Sequence, residues 1–445
     1  MTLSNQIAGV LTWLAAGDPL ADSLVAERSR LLLLDTLGCA IAGGAKPELQ
    51  ALHRAFEKTE PGVVAVPGGP MLAPQAAAFV TALAACWDEA CEGLIRAHGR
   101  PGLHAFPPAL ALGASNDATL GDVARATIAG YEVGGRLGEV MRIKAGMHVD
   151  GTWGLFAATT AASVIDDRGV HPAALARAIG IAACQMPFSL YRPVAAGATA
   201  RNTYVAHAAA QGIALAQAAA AGVSAPEDGL DVVDRLALGG DPKAKVLCAP
   251  GTWLVTQGYL KPFAAVRHVH YGAAAAQRWR DSGGDYRKIR ALRLEVYEES
   301  RRYCGNRAPK HPIQAQFSLT YGLAHTLVHG DLAPEAYTAA ALADPRTKAL
   351  EAMVEVETEP VWTAAASRGA RLHMTDDRGD QVETVTEVLG DPTRPMSRDQ
   401  VVEKFRRYAS PVIGEAAAGR LIARVIAGAW ATSIRAVLAD ARPSR

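Results

Sequence analysis

Side chains that bind anions or move protons gather in five stretches of the chain. Residues 87–108 (WDEACEGLIRAHGRPGLHAFPP) interleave Asp88, Glu89, Glu92, His98, Arg100 and His104 with Gly93, Gly99, Gly102 and Pro101. Glycine and proline mark loop, and loops held by a rigid scaffold often carry catalysis. The plain alternative is a polar surface loop. In residues 145–154 (AGMHVDGTWG), His148 precedes a helix rich in small residues. Free backbone N–H groups at a helix start, joined by an imidazole, suit a carboxylate. The same segment reads equally well as a cap, with Asp150 or Thr152 as the capping residue. Arg201, in residues 197–212 (GATARNTYVAHAAAQG), offers a guanidinium that grips a carboxylate through two parallel hydrogen bonds, although a surface arginine is the simpler reading of the spacing. Residues 259–276 (YLKPFAAVRHVHYGAAAA) put Lys261, Arg267, His268 and His270 within ten residues. His-x-His can bind zinc, but no acidic or cysteine ligand lies nearby to complete a site, so an organic anion is better supported than a metal. Tyr321, in residues 314–322 (QAQFSLTYG), offers a phenolic proton donor or else an ordinary core tyrosine.

The elements that must position these groups divide the chain by texture. From Met1 to about Gly258 the pattern is helix after helix. Residues 23–37 carry apolar positions at helical spacing and run into the glycine-containing stretch 38–44. Asp122 opens a second helix, residues 151–165 form a third, and Pro172 starts a fourth after His171. Residues 205–223 are apolar on average but hold His207, Gln211 and Gln217, so a buried helix is favoured over a membrane span. The texture changes after Val269. Residues 290–298 alternate apolar and polar, residues 353–357 do the same, and residues 371–386 read as a β-hairpin. Helical patterns near 272–282 and 314–329 accompany these strands. Helix returns at 400–408 and 414–438. The expected fold is therefore mainly α: an all-helical domain over 1–268, an inserted smaller α/β domain over 269–396, and helices over 397–445 that pack back onto the first.

Composition narrows the function. At about 100–200 residues per domain, 445 residues allow two or three domains. With 45 basic and 44 acidic residues the net charge is +1, so no strong field draws in nucleic acid or an anionic membrane, and any anion site needs local charge. The six cysteines are scattered without a metal-ligand spacing, which fits reduced thiols and a cytoplasmic setting. The first twenty residues lack a basic leader and read as an amphipathic helix rather than a signal peptide. Fingerprints of dinucleotide, P-loop, zinc-protease and serine-hydrolase sites are all missing from the sequence.

Taken together these segments resemble the MmgE/PrpD family. The matching stretches are LLLDTLGCAIAGG (32–44), IAGYEVGGRLG (128–138), AGMHVDGTWGLFAATTAAS (145–163), GATARNTYVAHAAAQG (197–212), the 261–270 stretch and FSLTYGLAHTLVHG (317–330), in the family's order. The family includes 2-methylcitrate dehydratases, cis-aconitate decarboxylases and iminodisuccinate epimerase. It pairs a large helical domain with a smaller α/β lid-like domain, keeps the active site between them and is usually dimeric. The resemblance implies a homodimer, no cofactor and no metal, with a small di- or tricarboxylate as substrate. It assigns His148 to the family's histidine before the small-residue helix, Lys261 to its lysine at the domain junction, His270 to the histidine nine residues later, and Tyr321 to a tyrosine of the dehydratases and decarboxylases. Arg201 falls where many members have lysine. Arg100 departs furthest: the family commonly has His-Pro there, after an Asp-rich run that is WDEACEG in this chain. His98 and His104 flank the change, and either one is placed to supply the missing imidazole.

The implied chemistry makes or breaks a bond at a carbon next to a carboxylate. Such a C–H is a weak acid, so a base must stand beside it and cations must hold the charge that develops. On this reading His148 or His104 exchanges the proton, Lys261, Arg201 and Arg100 anchor carboxylates, and Tyr321 or His270 donates to a leaving hydroxyl or to carbon. Asp88, His98, Arg267 and His268 complete the expected substrate contacts. Dehydratase or decarboxylase action is favoured, on an acid other than 2-methylcitrate, with a dicarboxylic-acid epimerase as the alternative. A non-catalytic helical binding protein is the reading from another class. An enzyme should bring His148, Lys261, His270 and Tyr321 to one cleft.

Overall fold

The computed structural model describes residues 2–238 and 245–441; the parts of the expected first and last segments at Met1, 239–244 and 442–445 lie outside the described residues. The fold is mainly helical, as expected. Helix α1 (Ser23–Gly44) starts where the Asp22 side chain accepts the N–H groups of Leu24 and Val25. It is buried all round from Leu31 to Cys39, so it lies inside the molecule rather than on its face. Its glycines, expected to follow the helix, belong to it. A Cβ at Gly43 would overlap the Ala84 carbonyl of α2 (Pro74–Trp87), so the absent side chain lets two helices touch backbone to backbone.

The central layer follows from the same principle. Helix α3 (Pro101–Ser115) takes Pro101 at its first turn, where a missing N–H costs nothing. Helix α4 (Leu120–Val140) is opened by a capping box between Thr119 and Asp122, two residues ahead of the expected start. Helix α5 (Gly154–Asp166) is buried from Gly154 to Ile165 and is packed by α3, α4 and α6 (Thr203–Ala220). Alanines 157 and 158 of α5 touch Gly130 and Gly134 of α4 and Gly212 of α6, which explains the abundance of small residues. No described helix is long and apolar enough to cross a membrane.

The expected all-helical character of the first segment needs correction. Strands β1 (Pro61–Ala65) and β2 (Met71–Leu72) form a small antiparallel pair, too short for an alternation to register in the sequence. Residues 245–266 are mostly irregular, with one short 3-10 turn at Leu254–Gln257.

Beyond Val266, helix α7 (Arg267–Asp281) packs on a four-stranded sheet of order β4-β3-β5-β6. Its strands are β3 (Ala291–Val296), β4 (Val354–Thr358), β5 (Ala370–Asp376) and β6 (Gly379–Val385). Strands β3 and β4 run parallel, and the other two pairs are antiparallel. Leu292, Leu294 and Val296 pair with Met374, Leu372 and Ala370, giving one buried apolar face with the expected period of two. The helical pattern expected over 314–329 breaks in two: Pro312–Gln316, then α8 (Leu319–His329), capped by Ser318. Helix α9 (Arg398–Ile413) returns to α1, where Phe405 presses on Gly38. The buried ammonium of Lys404 donates to Asp35 at 2.6 Å and to the Ala90 carbonyl at 2.7 Å.

Candidate active site

Four irregular segments meet around one cavity of about 330 Å³. The loop between α2 and α3 brings Glu89, His98 and Arg100; the turn before α5 brings His148 and Asp150; the turn before α6 brings Arg201; and the strap before α7 brings Lys261. The α2–α3 loop is pinned by paired backbone bonds between Gly93 and Tyr259 and by a bond from Leu94 N–H to Gly99. Glu89 and His98 both hold φ of 52°, a left-handed conformation that non-glycine residues adopt at a cost and that clusters at functional sites.

The centre of the cavity is a buried charge cluster. Glu89 Oε2 pairs with Arg100 Nη1 at 3.0 Å and Arg201 Nη2 at 2.5 Å, and its Oε1 with Lys261 Nζ at 2.7 Å. Asp150 pairs with Arg100 and, at 3.2 Å, with Arg201. Burial alone would raise the Glu89 carboxyl, but Arg100, Arg201 and Lys261 outweigh it and hold the group ionised, below the usual carboxylate range. Asp150 is held low in the same way by Arg100 and Arg201 against its own burial. Three cations face two carboxylates, so the cluster keeps one uncompensated positive charge.

His148 sits at the edge of this cluster. Its Nδ1 faces the Asp150 backbone N–H at 3.0 Å and its Nε2 faces Arg201 Nε at 3.4 Å. Burial first, then the nearby Arg201 and Arg100, bring its pKa down to about 4, against the pull of Asp150. The ring is therefore unprotonated at neutral pH. Burial also lowers Lys261, with Glu89 opposing and Arg100 assisting. Tyr191 stacks on His148 at 5.9 Å between centroids and donates its hydroxyl to the Tyr303 carbonyl at 2.6 Å.

The cavity brings together His148, Lys261, Arg100, Arg201, Arg267, His268 and His98 of the expected residues. Arg267 is 4% exposed; it pairs with Asp391 through one amino group and lies over the rings of Tyr259 and Tyr271, and its Nε and Nη1 have no hydrogen-bond partner among the described residues. His268 bonds the Tyr297 hydroxyl, and burial and Arg368 bring its pKa down to about 3. His98 stands at the mouth, 3.5 Å from Glu299.

Four expected residues lie elsewhere. His104 is on α3, fully buried beneath the cavity. Its Nδ1–H donates to the Arg100 carbonyl at 2.8 Å and its Nε2 accepts from Gly151 N–H at 3.1 Å, so both nitrogens are spent on structure. His270 is fully buried on α7 and donates from Nε2 to the Ala265 carbonyl at 3.0 Å. Tyr321 gives its hydroxyl to the Ala336 carbonyl and packs against His325 and Tyr337, away from the cavity. Asp88 is buried outside the cavity lining and pairs with Lys46 at 2.9 Å. Of the four side chains expected to converge, His148 and Lys261 do so.

Glu89, Asp150, Tyr191, Tyr259, Glu299 and Arg368 line the cavity without having been singled out as site residues. Glu89 stood among the polar residues of its loop, but its three-way pairing joins residues 11 and 172 positions away. Asp150 was visible only as a helix cap. Among the described residues, no group of three His, Cys, Asp or Glu is placed to hold a metal ion.

Comparison with protein families gives two matches that together span residues 9–427. The MmgE/PrpD N-terminal domain matches residues 9–237, and the MmgE/PrpD C-terminal domain matches residues 263–427. No curated protein matches the chain.

Proposed function

The chain belongs to the MmgE/PrpD family, whose members are in general lyases, dehydratases among them, or related enzymes, and from that premise we propose that it eliminates water or carbon dioxide from a small di- or tricarboxylic acid by proton transfer at the carbon next to a carboxylate. The observation that carries this reading is the unprotonated His148 beside a cluster with one spare positive charge, in a cavity of small-molecule size. The cluster is suited to accept one substrate carboxylate. The unpartnered donors of Arg267 suit a second. Acid–base side chains are sufficient for such a reaction, so the reading calls for no cofactor.

A carboxylate taken by Arg201 would draw its guanidinium from His148 Nε2 and cancel the charge that opposes protonation. The imidazole then becomes a stronger base at the moment substrate is present. For dehydration, the C–H electron pair forms the double bond, His148 keeps the proton, and the departing hydroxyl takes a proton from Lys261, whose lowered pKa makes it a better acid than free lysine. Tyr321 loses the donor role, since its hydroxyl is committed to Ala336. The sheet-containing segment supplies Glu299 and Arg368 to the cavity wall, which supports reading it as a lid.

The test is a panel of citrate-like, tartrate-like and amino-dicarboxylic acids incubated in D₂O. Loss of water or carbon dioxide supports the lyase reading; deuterium uptake without either rejects it in favour of the epimerase. On an identified substrate, His148→Ala should lower kcat by ~10²–10⁴-fold, and near-wild-type turnover rejects His148 as the base.

A further inference from the structure

The cavity that holds the charge cluster has a second half of opposite character. Ala97, Met141, Ile143, Met147, Val149 and Trp153 line it, continuous with the cationic half. Met147 and Val149 alternate along the chain with His148 and Asp150, so one short segment contributes to both linings. His98 and Arg142, polar neighbours in sequence, are exposed. The apolar wall is closely built. A Cβ at Gly99 would stand 2.5 Å from Trp153 Cζ2 and 2.9 Å from Val149 Cγ2, and one at Gly138 would stand 2.6 Å from Trp153 Cε2. The indole therefore lies directly on two backbone segments and is itself buried, so it backs the wall, and the half-buried Ile143 and Val149 present its apolar surface to the cavity.

A citrate-like acid, whose two methylenes each lie between polar groups, has no apolar arm to offer this wall. A carboxylate set against it would lose its water and find no donor, at a cost of several kcal/mol. Carbon and hydrogen there gain by leaving water. We infer that the substrate carries an apolar arm: a carboxylic acid whose polar head binds at Arg201, Lys261 and Arg267, and whose alkyl or aryl substituent lies against Ile143 and Val149. This rests on the carboxylic-acid reading above and narrows it.

The experiment is titration calorimetry of the whole protein with succinate and with its methyl-, propyl- and benzyl- derivatives. Affinity should rise about fourfold per methylene while the arm stays inside the cavity, so propylsuccinate should bind about fifteenfold tighter than methylsuccinate. Ile143→Asp, at a half-buried position, should cut that preference below threefold, and Val149→Thr should reduce it by a smaller factor; a thermal melt confirms that each is folded. Succinate binding with no gain along the series overturns the apolar arm and leaves the carboxylic-acid reading intact. Failure of every acid to bind, succinate included, overturns both.

Discussion

Replacing Glu89 with Gln keeps the shape of the side chain and the backbone at φ 52°, and removes one charge from the centre of the cluster. At an effective dielectric constant near 20, a unit charge pair at the Glu89–Lys261 separation of 2.7 Å attracts by about 6 kcal/mol. Pairs at 3.0 Å to Arg100 and 2.5 Å to Arg201 add to it, and the desolvation of a buried carboxylate offsets much of the sum. Removing one partner of such a buried pair costs about 3–5 kcal/mol, because the charges left behind stay out of water. The variant should therefore lose about that much in urea unfolding at neutral pH, with an unchanged m-value. It should also bind succinate at least tenfold tighter in low salt, because two uncompensated cationic charges replace one. A variant within 1 kcal/mol of the parent, or one that binds succinate more weakly, would refute the charge count on which the proposed function stands.

Three further outcomes follow from the same geometry. His148 has a folded pKa of about 4, below the value near 6.5 of an unfolded chain, so stability is complete above pH 6.5 and falls as the unfolded state takes up a proton that the folded state refuses. The loss from this residue should total about 3 kcal/mol between pH 6.5 and 4, and His148→Gln should flatten the stability–pH slope near pH 5 by up to ~1.4 kcal/mol per unit; parallel profiles for the two proteins count against the burial argument. Tyr321→Phe should leave kcat within about threefold and cost roughly 1–3 kcal/mol of stability for the stranded Ala336 carbonyl, whereas a hundredfold loss of turnover would return Tyr321 to the chemistry. Gly154→Ala puts a methyl group into the His104 ring, which holds the Arg100 carbonyl; it should destabilise by ~1–3 kcal/mol and weaken succinate binding, and a silent substitution would show that His104 does not position Arg100.

Much of the fold could be read because periodicity survives where an element has two unlike faces. Strand β3 and the β5–β6 hairpin alternate against a single buried face, and each falls within a residue or two of its expected place. Helix α8 is buried all round and none of its residues lines the cavity; its sequence carries no sign of this, so the family resemblance alone put Tyr321 in the site. His270 belongs to the same class: a spacing of nine residues from Lys261 says nothing about which way a helix turns after a bend. Loop composition drew attention to the segments of His148, Arg201 and Lys261, but it favoured a surface arginine and a solvated basic turn for the last two, and the family resemblance assigned them to the site. The neutralising partners stayed hidden. Glu89 acquires its role from a left-handed φ and from chain segments far away, and neither is written in local pattern.

The Lys404 contact has a consequence for the order of assembly. The carbonyl it grips, Ala90, adjoins the carboxylate at the centre of the charge cluster, yet the two residues are 314 positions apart. On a ribosome the loop that presents Glu89 emerges long before the helix that steadies it. Until α9 is made and docks on α1, Asp35 lacks its Lys404 counter-charge and Ala90 its donor. Lys404 therefore ties the loop that carries Glu89 to the last long helix, and that tie can form only once residue 404 has been made.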